Sequence, residues 1–146
     1  MSRSMPILFL TLCCLTLTAC GGQEAATPSP ADVTAAELAR AVVESQDDLT
    51  ELPALEGQDL TDHLSAFCGL ETWEDGAVYA AGGMDAREVT VVLLSDEASA
   101  ETAADTLENY RLERQGDFFG YAPEEADRLV RAVVLQRGSY AALLVC

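Results

Sequence analysis

His63 is the single histidine of the chain, so any nucleophile–base arrangement or multi-histidine metal centre would have to be built on it alone. Such arrangements are recognised by the geometry between side chains rather than by position in the sequence. With Asp62 beside it, His63 reads as a residue on a helix surface. No Gly-x-Ser-x-Gly, His-Glu-x-x-His or phosphate-cradling glycine loop occurs, and Gly82-Gly83 reads as a turn. Asp59, Asp62, Glu71, Glu74 and Asp75 are dense enough to suggest Ca²⁺, which takes about six to eight oxygens. The ordered Asp-x-Asp-x-Asp-Gly run of an EF-hand loop is missing, however, so these acids read as a solvated surface. No catalytic residue, metal ligand or cofactor is assigned on this basis.

Arg111, Arg114, Tyr121 and Tyr140 form the candidate interaction set, with Tyr110 close by in sequence, because Arg and Tyr are common anchors of interfaces. The competing reading is structural: the aromatic rings fill a sheet–helix layer, and the arginines pair with Glu108, Glu113 or Asp117. Cys68 and Cys146 are a candidate disulfide, which persists outside the cytoplasm. Closing so long a loop is worth about 4 kcal/mol in the chain-entropy picture. Alternatively they are two small buried hydrophobes.

Cys20 carries the most specific pattern in the chain. Arg3 is followed by an apolar run from Met5 to Leu17 (MPILFLTLCCLTL). That run is short of the ~20 residues needed to span a bilayer and suits the h-region of a secretory signal. It ends in Leu17-Thr18-Ala19-Cys20, which resembles a bacterial lipobox. Small side chains before the cut let the segment enter a peptidase, and the thiol after it can receive a diacylglyceryl group, with acylation (palmitate) of the new N-terminus. One lipid chain anchors marginally, whereas two or more hold a protein stably. The alternatives are an ordinary secretory signal with a chance Cys, or an uncleaved anchor helix. The lipoprotein reading divides the chain into a signal (1–19), lipidated Cys20 with a flexible tether (20–31) and one extracytoplasmic domain (32–146).

The tether, small, polar and Pro-containing, has an r.m.s. span of roughly 18 Å at about 5–6 Å × √n. That exceeds the Debye length of about 8 Å, which lifts an acidic domain clear of an anionic membrane. The acidity is pronounced: 25 Asp and Glu against 8 basic residues, all of them Arg, for a formal charge of −17. Such a charge excludes a nucleic-acid binder, since phosphate backbones are held by clustered cations, and it favours a soluble monomeric domain.

The elements that must position these residues follow from caps and periodicity. Thr34 with Glu37 makes a capping box opening a helix to about Asp48. Asp59 or Thr61 caps a short helix through Phe67, stopped by Gly69. Strands are expected over Ala77–Ala81 and Glu88–Leu94, with Val89, Val91 and Leu93 on one face and Glu88, Thr90 and Val92 on the other. Ser95 and Asp96 cap a long helix carrying Ala100, Ala103, Ala104, Leu107 and Tyr110, reaching about Gln115 and stopped by Gly116. Pro123-Glu124-Glu125 starts a further helix. Arg131–Gln136 and Tyr140–Cys146 make a closing hairpin. This order predicts an α+β fold: an antiparallel sheet of about four strands with helices packed on one face, a two-layer sandwich.

Four short patterns occur in fixed order: Met84-Asp85-Ala86-Arg87-Glu88-Val89, LENYRLERQ over 107–115, Phe119-Gly120-Tyr121-Ala122-Pro123-Glu124, and Gly138-Ser139-Tyr140. Together they resemble a domain of unknown function found in short lipoproteins of Gram-positive anaerobes. The absence of Lys and the stop at Cys146 depart from that pattern. The resemblance implies a lipid-anchored extracytoplasmic domain and no particular activity. The expectation is a binding or accessory module of the cell envelope, held at the membrane through Cys20 and engaging an envelope protein or small ligand. The alternatives are a small hydrolase or metal-dependent enzyme using His63 with acids, or a passive or inhibitory acidic envelope protein.

Overall fold

Thr34 begins the fold with a reciprocal cap. Its hydroxyl accepts from the Glu37 amide at 3.2 Å, while the Glu37 carboxylate accepts from the Thr34 amide at 2.9 Å. The computed structural model describes residues 33–146. The segments read as signal and tether, with Cys20, lie outside the described residues. From the Thr34 cap runs α1 (Ala35–Ser45), followed by a 3-10 turn at Asp47–Leu49. Next come α2 (Gly57–Asp62), which widens into a π-helical turn over His63–Phe67, then β1 (Asp75–Gly82) and β2 (Asp85–Leu93). After these lie α3 (Glu97–Phe119), α4 (Pro123–Arg131), β3 (Val133–Arg137) and β4 (Tyr140–Val145). Among the described residues no helix is long and apolar enough to cross a membrane.

The four strands form one antiparallel sheet in the order β1-β2-β4-β3, confirming the α+β class. The final hairpin therefore inserts its second strand between β2 and β3. The outer edge of β1 is covered by residues 53–55: the Leu55 amide donates to the Val78 carbonyl at 2.8 Å, and the Ala80 amide to that of Pro53 at 3.2 Å.

The helices depart from the expected single layer. One side of the sheet carries Val78, Val92, Ala141, Leu143 and Val145 under α3 and α4, with Leu64 and Cys68 from the turn after α2. The opposite side carries Ala77, Val89 and Val91 under α1, whose Ala35, Ala39 and Val43 are buried there with Leu49 and Leu52. The reason lies in β2. Residues 86 and 88–92 are all buried, so both faces of the strand need cover, and a strand buried on both faces requires layers on both sides.

Two helix ends also differ from expectation. The second helix begins at Gly57 with Glu56 as an N-cap that makes no side-chain bond, ahead of Asp59 and Thr61. Gly116 does not stop α3, which continues to Phe119. Glycine inside a helix costs about 1 kcal/mol relative to Ala. The buried ring of Phe118, which lies in the main core cluster, offsets that and holds the last turn down.

Candidate functional site

Glu88 stands on the inner strand β2, opposite Val145 at the end of β4, and is buried. An ionised carboxylate is costly to bury unless paired and fully hydrogen-bonded, and Glu88 is both. Its Oε1 accepts from the Thr90 hydroxyl at 2.6 Å and lies 3.2 Å from Nε2 of His63. Its Oε2 accepts from the Tyr110 hydroxyl at 3.0 Å and from Arg114 Nη1 at 2.7 Å. Burial pushes the Glu88 carboxyl up, but His63, Arg114 and Thr90 together outweigh it and hold the group below the usual glutamate range. The same surroundings act oppositely on the neutral acids: burial, then the Glu88 charge, push the Tyr110 hydroxyl and the Cys68 thiol up.

Each partner is delivered by a specific local structure. Period-two alternation along β2 puts Thr90 on the same face as Glu88. Helical spacing along α3 stacks Tyr110 and Arg114 one turn apart. Arg114 lies over the Tyr110 ring (5.5 Å) and the Phe118 ring (5.7 Å), a cation–π arrangement on both sides. His63 comes from the π-helical turn, where it packs edge-on to Tyr110 (6.0 Å) and beside Phe67 (5.8 Å).

Above this cluster opens a cleft of about 540 Å³ between the π-helical turn, the Gly82-Gly83 turn and the C-terminal half of α3. His63, Tyr110 and Arg114 line its floor, Glu113 and Asp117 its acidic side, and Phe67 and Tyr121 its rim. Phe67 and Tyr121 are 66% and 57% exposed.

The candidate interaction residues divide. Arg114, Tyr110 and Tyr121 come together at the cleft. Arg111 does not: its guanidinium is bound by Glu108 at 2.6 Å and the Leu129 carbonyl at 2.7 Å, tying α3 to α4. Tyr140 lies on the α1 side of the sheet, where its hydroxyl donates to the Val33 carbonyl. Cys68 and Cys146 are both free thiols, the first buried and the second exposed. Among the five acids weighed for Ca²⁺, Asp75 ties to the Ala35 amide at 2.8 Å, joining β1 to α1.

A ring nitrogen of His63, Cys68 Sγ and a Glu88 carboxylate oxygen lie within 4.8 Å of one another and are the donor set among the described residues that could hold a metal ion. As a nucleophile–base triad the same three groups fail. A reactive cysteine needs a lowered pKa and access, whereas Cys68 is buried with its pKa raised. Sequence reasoning missed Glu88. The available signal was an acid inside an otherwise β-branched and apolar run, Glu88 to Leu94, in a strand with apolar residues on both faces.

The domain-of-unknown-function family DUF4358 matches residues 70–146, more than half of the chain, and the chain belongs to that family. The match takes in the whole sheet, α3 and α4, hence Glu88, Tyr110 and Arg114, while His63 and Cys68 lie just before it. No curated protein and no solved structure matches the chain significantly.

Proposed function

We propose that this DUF4358 member is a lipid-anchored extracytoplasmic binding or accessory module of the cell envelope, and that its cleft is the binding surface. The observation carrying this reading is the pairing of an exposed aromatic rim, Phe67 and Tyr121, with a polar floor whose groups are already mutually satisfied. A floor of that kind is rigid, because removing any one partner leaves a buried charge uncompensated. Its buried carboxylate, Glu88, is engaged on both oxygens, which favours recognition as the role of the floor. The rim supplies flat apolar area at low entropic cost, the usual chemistry of interaction hot spots. Glu113 and Asp117 beside it favour an occupant that carries a cationic or hydrogen-bond-donating group next to an apolar one.

Anchoring rests on the Cys20 lipobox, and the acidic domain with its tether suits a position held off an anionic membrane surface. The test is in-cell crosslinking of the natively anchored protein, with a photoreactive residue at Phe67 or Tyr121, followed by mass spectrometry of the adduct and of the mature N-terminus. A reproducible adduct from both positions, absent from the same probe at exposed Glu44, and an acylated Cys20 support the reading. Equal labelling from all three positions overturns the cleft assignment. An unmodified Cys20 overturns the anchor.

A further inference from the structure

We infer that His63, Cys68 and Glu88 form a buried binding site for a single borderline-soft divalent cation of the Zn²⁺ class, adjoining the cleft through His63. Two independent observations converge on it. The first is the donor set: one imidazole nitrogen, one thiol sulfur and one carboxylate oxygen within 4.8 Å of one another. Mixed N, S and O ligation is the chemistry of zinc sites, and three protein ligands with an open fourth position mark the type that leaves the ion available to a further ligand.

The second observation is the backbone device that brings the ligands together. The Cys68 amide donates to the His63 carbonyl at 2.9 Å, an i→i+5 bond that closes the π-helical turn. In a regular α-helix of about 3.6 residues per turn, side chains five apart diverge by roughly 140° around the axis. Widening the turn to i→i+5 returns them to the same side. Such π turns are costly, rare and concentrated at functional sites, and here the widened turn aims both side chains at Glu88.

Glu88 is divided between two tasks in a way that suits this. Tyr110 and Arg114 occupy Oε2, while Oε1 faces His63 and Thr90. Oε1 therefore remains on the side where the ion would sit, with Arg114 fixing the carboxylate from behind as an outer partner. On binding, the Cys68 thiol gives its proton to solvent and the sulfur joins the metal as thiolate, a deprotonation that coordination itself drives. The thiolate and the carboxylate then face the 2+ charge, with the Arg114 cation still paired to Oε2 of Glu88. Of the three ligands His63 lines the cleft, while Cys68 and Glu88 are buried behind it.

This site adjoins the cleft of the proposed function through His63 but does not depend on what the cleft binds, and the two fail separately. Metal binding without an adduct at Phe67 or Tyr121 leaves the metal site standing, and an adduct without metal binding leaves the cleft standing.

The experiment is a titration of the chelator-treated full-length protein in detergent with Co²⁺ as the spectroscopic probe, followed by displacement with Zn²⁺. The expected result is one Co²⁺ per chain with a thiolate-to-cobalt charge-transfer band that Zn²⁺ abolishes. Cys146→Ser leaves the band unchanged and Cys68→Ser removes it. His63→Gln, which retains a hydrogen-bonding group for Glu88 and covers the case in which the Cys68 variant fails to fold, weakens binding at least about 100-fold, the upper end of what loss of a mere outer-shell partner costs. Cobalt binding without the band, a band that survives in folded Cys68→Ser, or unchanged affinity in His63→Gln overturns the site.

Discussion

Arg114 and Glu88, brought together from α3 and β2, meet at 2.7 Å with only 17% and 1% of their side chains exposed. The guanidinium is also sandwiched between the Tyr110 and Phe118 rings, so one contact joins the long helix, the sheet and the cleft floor. A buried pair of this kind adds little net stability over an apolar replacement but is expensive to break from one side.

Truncation of Glu88 is therefore expected to be among the most damaging single changes in the molecule. Glu88→Ala strands Arg114 and unpairs Tyr110, His63 and Thr90. It is expected to lower unfolding free energy by about 3–5 kcal/mol in urea denaturation. Glu88→Gln keeps the shape and most of the hydrogen bonds and should cost less. Equal and small effects in the two variants would show that the network is not under tension.

Stability should fall on both sides of a neutral plateau. Glu88 is held below its ordinary value of 4.5 once folded, and Asp85, beside Arg87, below 3.8. A depressed carboxyl stabilises the fold above its unfolded value and loses that contribution as pH falls through the folded one, so the acid decline begins near pH 4.5. Cys68 and Tyr110 are raised from 9.0 and 10.0. Their contribution is complete below those values and is lost as pH rises, because the unfolded chain ionises first. Melting temperature measured against pH in the presence of chelator should show both arms. In Cys68→Ala the decline between pH 9 and 10 should be shallower, with Cys146, also raised from 9.0, as the remaining contributor there.

The rim and the core should separate cleanly. Phe67 and Tyr121 are mostly exposed, so Phe67→Ala and Tyr121→Ala are expected to change stability by no more than about 0.5 kcal/mol. Leu107 is fully buried against the sheet, and Leu107→Ala should cost about 2–5 kcal/mol. Loss of crosslinking in the rim variants at unchanged melting temperature would place those rings in recognition. A fall comparable to that of Leu107→Ala would place them in packing.

The two domain thiols should differ in reactivity. Cys146 is exposed at the end of β4, while Cys68 is 2% exposed in the core. In non-reduced native protein, brief maleimide treatment and peptide mapping should find label on Cys146, and on Cys68 only after unfolding. Absence of label at both sites until a reductant is added would instead indicate that the two are joined.

Local signals made most of the fold legible. The Thr34 capping box, the Asp96 cap, whose carboxylate accepts from the Ser99 amide at 2.7 Å, and Pro123 at the start of α4 each mark a helix start that the backbone obeys. What escaped depends on partners distant in sequence. Gly116 reads as a stop until Phe118 is seen in the core, and α1 reads as one more helix of a single layer until both faces of β2 prove to be buried. The site was legible only in pieces. Arg114 and Tyr121 stand out by type, but Glu88 gains its meaning from His63, Tyr110 and Arg114, which two other elements, the π-helical turn and α3, supply. Nor does the sequence between Asp62 and Cys68 announce a widened turn, because a π turn is fixed by what the helix packs against rather than by propensity.

The strand order bears on when, during synthesis, this fold can form. β4 lies between β2 and β3 although it follows both in sequence. A nascent chain that has emerged only as far as Arg137 presents two unpaired sheet edges and half of a hydrophobic layer, with α3 and α4 lacking Ala141, Leu143 and Val145 beneath them. Residues 140–145 must arrive before either edge closes. Until then the growing polypeptide holds its helices without a finished floor.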